Sequence, residues 1–163
     1  MDHMLKLYRF ENGKPVAYHE AWVHGSKVVE HWGPLGERGE SREHRVDRKL
    51  SEEENVERIL QPALTEGYEP IDFDDHATLL IEYPVNGMGS ATDLEKRHAL
   101  QDRMNETLGW TGLGLCDGGS IGSGTMEVCC FVVDFAKAKR VIEADLTGTK
   151  FSDYSRIYDE NAG

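Results

Sequence analysis

The chain is poor in cysteine, in positive charge and in long apolar runs, and each shortage removes a class of protein. Cys116, Cys129 and Cys130 are too few and too oddly numbered for a disulfide framework, which points to a reducing, cytoplasmic setting. The longest apolar stretches, around residues 77–83 and 126–133, fall far short of the roughly 20 residues that span a bilayer. The N-terminus has no apolar signal-peptide core, so no membrane association is expected. Lys and Arg number 18 against 30 Asp and Glu, a formal net charge of -12, and a chain so charged repels polyanions and does not coat nucleic acid unselectively. The deficit is spread along the chain, with 10 basic and 17 acidic side chains in residues 1–75 and 8 and 13 in residues 76–163. Low-complexity segments and internal repeats are absent.

What is present is enough for a core: 163 residues, 39% of them hydrophobic, make one ordinary domain or two small ones. The polar, acidic, proline-bearing stretch at residues 70–76 predicts a boundary, giving domains over 1–72 and 73–163.

The first domain reads as strands followed by one helix. Strands over 4–10, from Pro15 to 24, and over 27–33 are separated by turns at Asn12-Gly13 and Gly25-Ser26. The second, a two-residue glycine turn, sets a hairpin in which paired residue numbers sum to 51. Trp22, Val29, Glu20 and His31 then share one face, with His31 opposite Glu20. A polar strand from Glu40 to Val46 follows. Ser51 and Glu54 form a capping box, the acidic run Glu52–Glu54 suits a helix N-terminus, and Val56, Ile59, Leu60, Ala63 and Leu64 make a buried stripe. Pro62 should kink or split this helix, and Gly67 is the expected C-cap.

The second domain reads βαββαβ. The predicted order is a strand over 77–83, a helix over about 93–108 capped at Thr92, a glycine-rich edge strand and hairpin, an apolar strand over 126–133, a helix capped by Asp134, and a strand over 154–158. Leu94, Leu100, Met104 and Leu108 should share the buried face of the first helix, and Phe135, Ala138, Val141, Ile142 and Leu146 that of the second. The two most apolar strands are the first and third, which a split βαβ sheet places in its centre. The expected class is therefore α+β: an antiparallel sheet with one helix, then a ferredoxin-like βαββαβ sandwich.

Residues Trp32-Gly33-Pro34-Leu35-Gly36-Glu37-Arg38-Gly39 place an aromatic at a strand end before a tight glycine loop, a means of presenting a ring and backbone amides to a partner. With Tyr8 in the first strand, the Trp32-Gly33 pair, Gly36 and Gly39 in the loop, and a helix ending at Gly67-Tyr68, residues 4–70 resemble a WGR domain. That module is known from poly(ADP-ribose) polymerases, where it helps bind DNA ends and communicates with the catalytic domain, and from bacterial proteins. The resemblance implies partner binding through Trp32, Gly33, Arg38 and Arg42, with the ring stacking on sugar or base and the arginines reaching phosphate if the partner is nucleic acid. Pro34 stands where the family carries Arg, which removes a cationic fork and a backbone donor. The arginines from Arg38 to Arg48 alternate with Glu37, Glu40, Glu43 and Asp47, a pattern expected to pair with itself.

No catalytic set, metal site or cofactor is expected. The glycine tract Gly112–Gly124 runs into a strand instead of a helix N-terminus and so lacks the phosphate-cradle arrangement. Cys129 and Cys130 point to opposite faces. Cys116 beside Asp117 lacks an activating histidine. The leading expectation is a non-enzymatic binding or adaptor protein whose partner is a protein or, second, DNA, with an exposed sheet edge as a route to a homodimer. One alternative is a small ligand-sensing protein or enzyme using the cleft between domains or the Gly112–Gly124 hairpin, with Asp117 and Ser120 facing the ligand. Another is an acidic inhibitor or immunity-type regulator of a basic partner.

Overall fold

The computed structural model describes residues 4–161, and the chain divides into two compact units between Phe73 and Asp74. Both are α+β.

In the first unit, strands β1 (Met4–Glu11), β2 (Lys14–His24), β3 (Lys27–Pro34) and β4 (Glu40–Arg45) form an antiparallel meander in that order. Gly25 has φ +60 at the first central position of the β2–β3 turn, the conformation a two-residue hairpin of this kind needs. The register follows as the turn dictates: Trp22 faces Val29, Glu20 faces His31 and His19 faces Trp32. One face of the sheet carries Leu7, Ala21, Val23 and Val28, which pack against Val56, Leu60 and Ala63 of helix α1 (Glu52–Thr65). Each large aliphatic side chain fully buried here is worth about 1.5–3 kcal/mol. The Ser51–Glu54 capping box is formed in both directions.

The helix departs from expectation in three details. It runs unbroken through Pro62, because a proline in the last turn removes one hydrogen bond and leaves little helix beyond it to break. The C-cap falls at Glu66, one residue before Gly67. Leu64 lies outside the buried stripe, 38% exposed. Beyond the helix, Glu69 pairs with Tyr8 through two backbone hydrogen bonds of 2.8 and 2.9 Å, closing the outer edge of β1.

The second unit runs β5 (Ala77–Pro84), α2 (Ala91–Gly109), β6 (Gly114–Gly122), β7 (Thr125–Val132), α3 (Phe135–Leu146), β8 (Arg156–Asp159), with sheet order β6-β7-β5-β8, all pairs antiparallel. This is the split βαβ, ferredoxin-like order, with the two apolar strands central. Leu79, Ile81 and Tyr83 from β5 and Met126, Val128, Cys130 and Val132 from β7 are buried, as are Leu100, Met104 and Leu108 of α2 and Ala138, Ile142 and Leu146 of α3. Arg103 on α2 donates to Asp145 on α3 at 2.8 Å, tying the helices together.

Two boundaries shift. Helix α2 is capped by Ser90, not Thr92, in a reciprocal box with Asp93. Leu94, in the first turn of α2, is 41% exposed and lies outside the buried face. The last strand begins at Arg156, two residues later than the pattern predicts. The glycine tract is an edge strand with a register shift between Cys116 and Gly119, so the bulged hairpin is present. Among the described residues no helix is long and apolar enough to cross a membrane.

Candidate functional site

The end of β3 and the loop that follows carry the side chains singled out in the sequence, and two buried polar clusters, one on each face of the sheet, hold them in place. On the face away from α1, His31 is 1% exposed. Its Nδ1–H donates to Glu20 Oε2 at 2.6 Å and its Nε2–H to the carbonyl of Arg38. Tyr18 donates its hydroxyl to the carbonyl of Glu37 at 2.6 Å and lies 3.3 Å from His31 Nε2. Lys6 Nζ stands 3.8 Å from the other Glu20 oxygen. A carboxylate and a carbonyl can only accept, so both ring nitrogens of His31 donate and the ring is an imidazolium. Burial alone would push its pKa down; the Glu20 and Arg38 acceptors and the Glu20 charge outweigh that and raise it above the ordinary histidine value. Burial first, then Glu20, raises the Tyr18 hydroxyl.

These bonds fasten two consecutive loop carbonyls, Glu37 and Arg38, while Leu35 is buried and its N–H donates to the carbonyl of Val16 at 2.9 Å. The loop closes on itself so tightly that a Cβ on Gly39 would lie 2.1 Å from the carbonyl oxygen of Trp32, and one on Gly33 would lie 2.8 Å from Gly39 Cα. Gly39 also has φ +64, so both space and backbone conformation require glycine there. Pro34, Glu37 and Arg38 remain exposed.

On the α1 face, Glu30 is buried and accepts from three side chains: His19 Nε2 at 2.6 Å, His44 Nε2 at 2.7 Å and Arg42 Nη2 at 3.0 Å. Burial would raise its pKa, but the hydrogen bonds from His19, His44 and Arg42 prevail and lower it. Trp32, half-buried, stacks on His19 with centroids 5.6 Å apart, and the Arg42 guanidinium lies 5.2 Å from the centre of the indole. Tyr68 meets His19 edge-on.

Trp32, Gly33, Arg38 and Arg42 thus fall on one end of the sheet, but Arg42 is held by Glu30 and by the ring of Trp32 rather than standing free. Arg38 alone among them offers an exposed side chain without a carboxylate partner. The alternating charges do not pair with one another: among the described residues no ion pair joins Arg38, Arg42, Arg45 or Arg48 to Glu37, Glu40, Glu43 or Asp47. Within β4, Glu40 and Arg42 share one face and Glu43 and Arg45 the other, but Arg42 turns to Glu30 on the neighbouring strand.

The glycine hairpin gathers less. Asp117 and Ser120 are both exposed and flank the register shift. Ser120 lines a shallow hollow of about 360 Å³ with Leu80, Glu127, Cys129, Tyr158 and Glu160, and Asp117 is not part of that lining. A Cβ on Gly119 would strike the Glu127 carbonyl oxygen at 2.3 Å and the side chains of Arg97 and Gln101 at 3.2 Å, so that strand backbone is already covered by α2. Among the described residues no group of three or more His, Cys, Asp or Glu is arranged to hold a metal ion.

Glu30, His19 and His44 are members of this candidate site that motif reading passes over. The available signal was a glutamate in register between Val28 and Trp32 on an otherwise buried face. Comparison with protein-family models, curated proteins and solved structures finds no match to this chain.

Proposed function

We propose that the first unit is a non-enzymatic recognition module that engages a protein or nucleic-acid partner through Trp32 and the Gly33–Gly39 loop, in the manner of the WGR domains it resembles. One observation carries the reading: two buried side chains, His31 and Tyr18, are committed to fixing the backbone of a loop whose own polar side chains face solvent. A loop pre-organised in this way loses little conformational freedom when a partner docks. The site offers a ring, a guanidinium and a rigid backbone, the elements of a docking surface.

The test uses nicked and blunt duplex DNA in a salt titration, in parallel with a photo-crosslinking residue placed at position 38 in cells. DNA affinity that falls steeply with salt and drops on Trp32→Ala assigns a nucleic-acid partner. A discrete crosslinked protein that disappears on Trp32→Ala assigns a protein partner. Trp32→Ala protein that is folded and unchanged in both assays overturns the proposal.

A further inference from the structure

The opposite end of the β3–β4 ladder, five residues and about 17 Å from Trp32, carries a second concentration of charge. Lys27 and Arg45 are directly opposed in the antiparallel register, a like-charge pairing that destabilises a sheet unless something compensates it. The two strand ends and the loop beyond them form an open cleft of about 780 Å³ lined by Gly25, Ser26, Lys27, Arg45, Val46, Asp47, Arg48 and Lys49. In a chain with 30 acidic side chains, Lys27, Arg45, Arg48 and Lys49 make no ion pair among the described residues. The single lining carboxylate, Asp47, is turned back on its own loop and accepts from the Lys49 backbone N–H at 2.9 Å.

The loop that carries these cations is built, not slack. Asn55, fully buried on α1, accepts from the Asp47 backbone N–H at 2.8 Å and donates to the carbonyls of Asp47, Leu50 and Ser51. Arg58 bridges the Asn55 side chain and the carbonyl of Arg45, the latter at 2.8 Å. Val46 N–H donates to the Ser26 carbonyl at 3.1 Å, closing the base of the cleft. Four cations without an ion-pair partner among the described residues line this fixed concavity, an arrangement that attracts an anion.

We propose that this cleft binds the pyrophosphoryl group of a small phosphorylated ligand. A single phosphomonoester carries about 1.5–2 negative charges at neutral pH, too few for four cations opposed by one carboxylate; two linked phosphoryl groups match that balance better. Arg45 and Arg48 supply forked donors, and Lys27 and Lys49 act as point charges. The site is separate from the Trp32 surface and stands whether or not that surface binds a partner.

Calorimetric titration of the full chain with inorganic pyrophosphate, ATP, orthophosphate and a short DNA duplex tests it at about 0.15 M salt. The expected result is saturable binding of pyrophosphate or ATP in preference to orthophosphate, weakened roughly tenfold or more by Arg45→Ala and by Arg48→Ala, and unchanged by Arg140→Ala in the second unit. Equal affinities for pyrophosphate and ATP assign the free diphosphate chemistry, and tighter ATP binding assigns a nucleotide. No binding of either, binding indifferent to Arg45 and Arg48, or binding lost in Trp32→Ala overturns the assignment. So does duplex DNA that binds more tightly than ATP and loses affinity in the same two variants, since the cleft would then be a nucleic-acid footprint.

Discussion

Replacing His31 with Gln removes the imidazolium that joins Glu20 to the loop carbonyl of Arg38, and the first unit should lose a large part of its stability. The Glu20 and His31 side chains are 4% and 1% exposed, and breaking a buried ion pair by deleting one partner costs about 3–5 kcal/mol because the other charge stays buried. Lys6, 3.8 Å from Glu20, compensates part of that charge, which places the expected loss near 3 kcal/mol on the same scale. With a urea slope of about 1.5 kcal/mol/M, the unfolding midpoint falls by about 2 M. Trp22 and Trp32 lie in the first unit and Trp110 in the second, so fluorescence in a Trp110→Phe background follows the first unit alone.

The pH dependence is the sharper part. The folded pKa of His31 lies above the ordinary histidine value of 6.5, so the stabilisation is complete below about 6.5 and is lost as pH rises through the folded pKa. Every other titratable group is common to both proteins and cancels in the difference. The gap between wild type and His31→Gln should therefore narrow from pH 6.5 upward. A gap that stays constant or widens to pH 9 refutes the assignment of an imidazolium at this position.

Three further outcomes follow from particular contacts. Gly39→Ala should destabilise the loop by more than the roughly 1–2 kcal/mol of a left-handed backbone alone, because its Cβ meets the Trp32 carbonyl at 2.1 Å; amide exchange over residues 33–39 measures this. Glu30→Gln weakens charge-assisted bonds from His19, His44 and Arg42 and should cost about 1.5–3 kcal/mol at neutral pH. Since the folded pKa of Glu30 is lowered below 4.5, that difference is present above about 4.5 and closes as pH falls through the folded value, as acid titration of the two proteins would record. Native-state alkylation should label Cys129 before Cys116 and Cys130, because Cys129 is half-exposed on the outer face of the second sheet while the other two are buried; mass spectrometry of the first adduct checks the order.

Local rules carried the strands further than the site. A two-residue turn at Gly25-Ser26 leaves one way to pair β2 with β3, so the Glu20–His31 contact is legible in the sequence. The capping box at Ser51 was legible for the same reason: its partners lie three residues apart. The Ser90–Asp93 box was missed because aspartate is a less usual partner than glutamate, and a neighbouring Thr92 offered a competing hydroxyl. Contacts closed by tertiary packing left almost no local trace. The three donors on Glu30 come from β2 and β4, and Asn55, an ordinary residue in a helix pattern, organises a loop that precedes it. Charge alternation misled most, because Arg42 is claimed by Glu30 on the neighbouring strand, a partner that local alternation does not reveal.

Arg42 gives the Trp32 surface a resident occupant. Its guanidinium rests 5.2 Å from the indole centre while anchored to buried Glu30, so the aromatic face open to an incoming ring or cation is one already engaged by a tethered group. Any partner that stacks there must first displace it, and its apparent affinity is scaled by the fraction of molecules in which Arg42 has swung away. Tight partners are then those that use the displaced guanidinium as well as the vacated ring, which turns a fixed internal contact into a filter on what the surface accepts.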